Sequence, residues 1–169
     1  MLPERRDQPI VYAALGDSTV EGEGATHSTA NYVSRLHERL RAVYPSAIVV
    51  NYGLGGSTSA HVLADQVRRA VGAVPHLVTI SVGPNDITTR VPVAAFERQM
   101  GEILETLERR TRAVIVVNLL PDIAITPRFS RQRRARRAGP SDRVLQRGAA
   151  PPGARPWRRG GRPPHREPL

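Results

Sequence analysis

The chain has no cysteine and no lysine. The first absence excludes disulfides and thiolate metal sites. The second makes all 25 basic residues arginine, a bias expected of GC-rich coding DNA, and it removes the lysine on which a Walker-type phosphate loop depends. No apolar run approaches the roughly 20 residues that cross a bilayer. The apolar stretch at residues 10–15 is too short for a signal-peptide core. A protein of the cytoplasm, with no membrane span, is therefore expected.

What is present divides in two. Residues 1–127 carry 12 Arg against 13 acids, and residues 128–169 carry 13 Arg against 2 acids, so the formal charge of +10 belongs to the tail. In that tail Phe129, Val144, Leu145 and Leu169 supply the only Phe, Leu, Ile or Val side chains. Such a composition cannot bury enough apolar surface to offset its chain entropy, so 128–169 reads as a disordered basic tail.

The front alternates between two periods. Residues 10–15 form a continuous apolar run ending in Gly16, as expected of a strand buried on both faces. Residues 31–43 predict a helix with Val33, Leu36, Leu40 and Val43 on one face, ended by Pro45. A second strand is predicted at 47–51, followed by a glycine turn at Gly53, Gly55 and Gly56. The stripe Val62, Leu63, Val67, Ala70 and Val71 marks a second helix, with N-cap oxygens on offer at 57–59. A third strand at 76–81, a third helix at 93–110 with Phe96, Met100, Ile103, Leu104 and Leu107 inward, and a fourth strand at 113–118 complete the series. Strand and helix in strict alternation predict an α/β fold with a parallel sheet. Sites in such sheets form at the carboxyl ends of the strands. Three polar loops fall there: Gly16-Asp17-Ser18-Thr19, Asn51 to Thr58, and Gly83-Pro84-Asn85-Asp86.

Each loop alone is an ordinary turn, because Gly, Asp, Ser and Asn are turn residues. Together they meet the needs of a nucleophilic serine: exposure at a sharp turn, and hydrogen-bond donors aimed where an oxyanion forms. The chain resembles the SGNH/GDSL hydrolase family of esterases and lipases. Gly16-Asp17-Ser18 is similar to its first block, Asn51-Tyr52-Gly53-Leu54-Gly55-Gly56-Ser57-Thr58 to its second, and Gly83-Pro84-Asn85-Asp86 to its third. The resemblance implies that Ser18 attacks an ester carbonyl, and that the Ser18 N–H, the Gly56 N–H and the Asn85 side chain hold the resulting oxyanion. It implies a three-layer α/β/α domain with a flavodoxin-like parallel sheet over residues 8–127, no cofactor and a small-molecule ester substrate. Asp17 is expected to shape its turn, Asp86 to brace its own loop, and loops 19–30 and 87–92 to line the acyl pocket.

The family's fourth block is an Asp-x-x-His that supplies the base. No such spacing occurs in the 169 residues: Asp142 is followed at that offset by Leu145, and His165 is preceded by Arg162. His27 reads as a solvated loop histidine, His37 as surface, His61 as a cap or surface residue and His76 as structural. Impaired turnover is expected, since a serine without a base stays a weak nucleophile. The last strand and helix that carry this block in the family are expected to be missing, leaving the fourth strand as an exposed edge. The abrupt change of composition after Thr126-Pro127 suits an out-of-frame translation. Two alternatives stand beside it: a non-catalytic relative that binds ligands through the same loops, and a nucleic-acid or acidic-surface binder acting through Arg131, Arg133, Arg134, Arg136 and Arg137. The latter lacks aromatic interleaving beyond Phe129 and Trp157, so no specific nucleic-acid partner is expected. No metal or nucleotide fingerprint is present.

Overall fold

A computed structural model describes residues 2–119. The expectations for 128–169, and for a missing last strand and helix, lie outside the described residues. Four strands form one parallel sheet: β1 (Val11–Gly16), β2 (Ile48–Asn51), β3 (Leu77–Ser81) and β4 (Val114–Val117), in spatial order β2-β1-β3-β4. The helices are α1 (Ser18–Glu21), α2 (Tyr32–Val43), α3 (Ser59–His61), α4 (Val67–Gly72), α5 (Pro84–Thr88) and α6 (Val93–Arg110). A π-helical turn, Val62–Gln66, joins α3 to α4 without a break.

Given this order, chain handedness decides which face each helix covers. Right-handed crossovers carry the chain from β1 outward to β2 over one face, then back across β1 to β3 and on to β4 over the other. The faces are populated accordingly. Ala13, Leu15, Val78 and Ile80 pack with Val62, Val67 and Ala70 and with Phe96, Met100, Ile103 and Leu107 of α6. Tyr12, Ala14 and Leu77 pack with Val20 of α1 and Val33 of α2, flanked by Leu36, Leu40 and Val49. The period-two split of Tyr12, Ala13, Ala14 and Leu15 between the two clusters is what a strand buried on both faces requires. The three-layer α/β/α reading is correct.

The inward face of α2 is narrower than the sequence suggests, because Val43, in the last residue of the helix, is exposed. The inward side of α6 matches the sequence reading, with Leu104 only partly buried. β4 is the last strand among the described residues, and its Val114 and Val116 are exposed. The direction of winding reverses between β1 and β3. In an open parallel sheet that switch point opens a crevice at the carboxyl ends of the two strands.

Candidate functional site

The crevice is built on the end of β1. Gly16 has φ +149°, and a Cβ there would stand 1.9 Å from the Ser81 carbonyl oxygen of the neighbouring strand. No other residue fits this position. The close approach lets Asp17 N donate to Ser81 O at 3.2 Å and turns the chain into α1. Asp17 caps that helix, its Oδ1 accepting from Thr19 N at 2.9 Å. The expected turn-shaping role of Asp17 is thus its geometry here. Burial raises its pKa, only partly offset by the Thr19 hydrogen bonds, and its Oδ2 is buried without a partner. Ser18 follows as the first residue of α1, half-buried at the crevice.

The second loop is stitched onto this turn. Asn51 Nδ2 donates to Val20 O at 2.7 Å, and Leu54 N donates to Gly16 O at 3.2 Å. Gly53 lies against α1 so closely that a Cβ would fall 2.5 Å from Glu21 N. Gly55 N donates to Glu21 Oε2 at 2.7 Å, and Ser57 N donates to Leu54 O at 3.1 Å. Between them stands Gly56, in the left-handed region at φ +78°, with open space where a Cβ would be. Among the described residues, neither Gly56 N nor Ser18 N has an acceptor, while the N–H groups beside them are taken.

The third loop closes the arrangement. Gly83, at φ +133°, and Pro84 start α5, a short helix where the sequence reading has only a loop. Asn85 Nδ2 donates to Ser57 O at 3.0 Å, which uses one of its two amide protons. Asp86 does not brace its own loop alone. Its carboxylate accepts from Ser59 N at 3.1 Å and from Ser59 Oγ at 2.6 Å, across 27 positions, and so anchors the start of α3. Burial raises its pKa too, offset by Ser59, with the charge of Asp17 adding to the rise.

The structure therefore brings the loops of Ser18, Gly56 and Asn85 to one edge. A cleft of about 530 Å³ adjoins Ser18 and is lined by Thr19, Gly22, Glu23, Asn31 and Tyr32 among others. Its walls come from 19–32; residues 87–92, expected to contribute, do not line it. Two residues went unremarked in the sequence. A Cβ on Gly55 would lie 3.0 Å from Glu21 Oε2, 3.9 Å from Ser18 Cβ and 4.0 Å from Glu23 Oε2, so two carboxylates converge beside the serine. Nothing in the sequence separates them from ordinary solvated acids.

The described histidines are engaged elsewhere. His27 is exposed and pairs with Thr29. His61 Nδ1 accepts from Thr58 N at the start of α3, and His76 Nδ1 accepts from Val11 N at 3.1 Å. These fit their expected roles. His37 is not a surface residue: it is half-buried, with Nε2 2.9 Å from Ala47 O. Among the described residues no group of three or more His, Cys, Asp or Glu could hold a metal ion, and no helix is long and apolar enough to cross a membrane.

Comparison with known proteins bears on the family and the fold. The model of the GDSL-like lipase/acylhydrolase family matches residues 14–162. Among solved structures, AlinE4, described as an SGNH-hydrolase family esterase, is 25% identical with a TM-score of 0.58 over 74% of this chain and 67% of its own. TesA is 26% identical with a TM-score of 0.59, over 74% and 71%. Axe2, an acetylxylan esterase from Geobacillus stearothermophilus, is 20% identical with a TM-score of 0.60 over 83% and 71%, a likeness of fold. No curated protein matches.

Proposed function

The chain belongs to the GDSL-like lipase/acylhydrolase family, a family of ester hydrolases, and we propose that its site cleaves a small ester through an acyl-serine at Ser18. The observation that carries this reading is the pair of N–H groups without an acceptor among the described residues, Ser18 N and Gly56 N, on two loops tied together by Glu21 and Asn51. Donors held in place before the reaction are what stabilise a developing oxyanion.

In this mechanism Ser18 Oγ bonds to the ester carbonyl carbon, and the carbonyl π pair moves onto oxygen. That oxyanion accepts from Ser18 N, Gly56 N and the second amide proton of Asn85. Collapse expels the alcohol, which leaves with a proton. Water then adds to the acyl-serine by the same path, releasing the acid and restoring the Ser18 hydroxyl. No cofactor takes part.

The step short of help is removal of the Ser18 proton. No Asp-x-x-His spacing occurs in the 169 residues, and His27, His37, His61 and His76 have partners elsewhere. We therefore propose that turnover is slow; in triad enzymes that lack a member, a residual rate of roughly 10³–10⁴ over water persists from the oxyanion hole and binding. Hydrolysis of p-nitrophenyl acetate tests the reading, with Ser18→Ala as the blank and imidazole added as an external base. A Ser18-dependent rate that imidazole raises is expected. A rate unchanged in Ser18→Ala, with and without imidazole, overturns it.

The break in composition supports a second proposal, that residues 128–169 are an out-of-frame translation. The charge passes from near balance to 13 Arg against 2 acids with four large aliphatic or Phe side chains in the whole segment. Sequencing the coding DNA across and beyond codon 127 tests it. Another frame there should encode a strand and an Asp-x-x-His; no such frame would refute the proposal.

A further inference from the structure

Gln66 is an amide buried in an apolar layer. It is 3% exposed and sits at the end of the π-helical turn Val62–Gln66, among Val62, Val67 and Ala70, which face the sheet. Both ends of its amide are spent on one residue. Gly16 N donates to Gln66 Oε1 at 2.7 Å, and Gln66 Nε2 donates to Gly16 O at 2.9 Å. This two-pronged grip fixes which end is oxygen and which nitrogen, because a flipped amide would face N–H to N–H and oxygen to oxygen. The second Nε2 proton points to Ser57 Oγ at 3.4 Å.

The two residues it touches are informative. Gly16 stands two before Ser18 at the end of β1, in a backbone conformation only glycine tolerates. Ser57 stands next to Gly56, and its carbonyl holds Asn85 Nδ2 at 3.0 Å. Gln66 thus joins the nucleophile loop to the loop of the proposed oxyanion donor, beside Glu21 and Asn51, and reaches Asn85 through Ser57. The π turn matters here. Its wider register lets Val62, Gln66 and Val67 all face inward, so a polar reach toward β1 is inserted without interrupting the apolar stripe.

We infer that Gln66 is a positioning residue, which sets the Ser18 turn against the Gly56–Asn85 side of the site by clamping both polar groups of Gly16. It rests on the reading of Ser18 as nucleophile. It goes beyond that reading in assigning reactivity to a side chain that touches no substrate. A merely buried, satisfied amide would affect stability alone. A positioning amide affects the rate of the bond-forming step in molecules that are already folded, since misplacement by about 1 Å can cost on the order of 10²-fold.

The test uses the 169-residue protein and a p-nitrophenyl alkylphosphonate, following p-nitrophenolate release and locating the adduct by mass spectrometry. Gln66→Met keeps the volume and removes both hydrogen bonds. Gln66→Glu keeps the acceptor for Gly16 N and replaces the donor. Leu107→Ala serves as a control that loosens the same core without touching the loops. The expected result is a fall in the maximal inactivation rate of roughly 10²-fold in Gln66→Met, with half-saturation unchanged and melting showing a folded protein. A smaller fall is expected in Gln66→Glu, and none in Leu107→Ala at temperatures where it is folded. Wild-type rates in both Gln66 variants, or an equal fall in Leu107→Ala, overturn the inference. If Gln66→Met does not fold, Gln66→Glu decides alone. Absence of any Ser18 adduct in the wild-type protein is a different outcome: it removes the nucleophile reading itself.

Discussion

Asn85 carries two amide protons, and its loop takes one of them. The bond to Ser57 O orients the amide and leaves the other proton for a ligand. Asn85→Ala is expected to cut the Ser18-dependent esterase rate by about 10²–10³, the usual loss for one oxyanion donor. Comparison of progress curves at equal folded protein checks it. Asp17 supplies a prediction of opposite kind. Burial raises its pKa, so the folded carboxyl holds its proton more tightly than the unfolded one. Its contribution to stability is therefore full below the unfolded value of about 3.9 and is lost as pH rises through the raised folded value. Asp17→Asn keeps an Oδ1 to accept from Thr19 N and removes the charge. The urea midpoint of Asp17→Asn relative to wild type should rise with pH from about pH 4 upward; a difference that stays flat would contradict the assignment. That Asp17, Ser18, Gly56 and Asn85 lie on loops at one edge of the sheet was legible, because turn residues at three strand ends are few. Asp86 was only half legible, since its partner Ser59 lies 27 positions away and no local pattern announces that bond. Gln66, Glu21 and Glu23 were not legible at all: in the sequence they are polar positions flanking apolar ones, and only the fold turns them toward the site.

Among the elements, the strands and the long helices were read correctly and the short helices α1 and α5 were missed. α6 and α2 announce themselves through side chains three and four apart, and the strands through short apolar runs. α1 and α5 span only four and five residues and are held by what precedes them, Asp17 as a cap and the strained Gly83. The π turn leaves no trace in the apolar stripe, because Val62, Val67 and Ala70 remain inward across it. Two predictions belong at this scale. Leu107 is fully buried at the end of α6, and Leu107→Ala is expected to cost about 2–5 kcal/mol in urea unfolding. Val74, beyond α4, is largely exposed and held at φ +49°, where a β-branched residue is strained. Val74→Gly removes that strain, set at roughly 1–2 kcal/mol for an L-residue, at the expense of a more flexible unfolded chain. A gain of about 0.5–1 kcal/mol is expected from the same unfolding measurement.

For the whole molecule, alternation of strand and helix was enough to predict the class, whereas the switch point between β1 and β3 came only with the strand order of the structure. What alternation cannot convey is the stitching between loops. The nucleophile turn is tied to the second loop through Asn51, Glu21 and Gln66, and the second loop to the third through Asn85 and Asp86. All of these bonds except Gln66 to Ser57 join residues 27 or more positions apart. The central claim is that these bonds converge on one arrangement, a serine facing three held donors. A crystal structure of the protein after reaction with a p-nitrophenyl alkylphosphonate tests it most directly. The expected result is phosphorus bonded to Ser18 Oγ, with the phosphonyl oxygen about 3 Å from Ser18 N, Gly56 N and Asn85 Nδ2. An unmodified Ser18, or a phosphonyl oxygen turned away from those donors, would contradict the account.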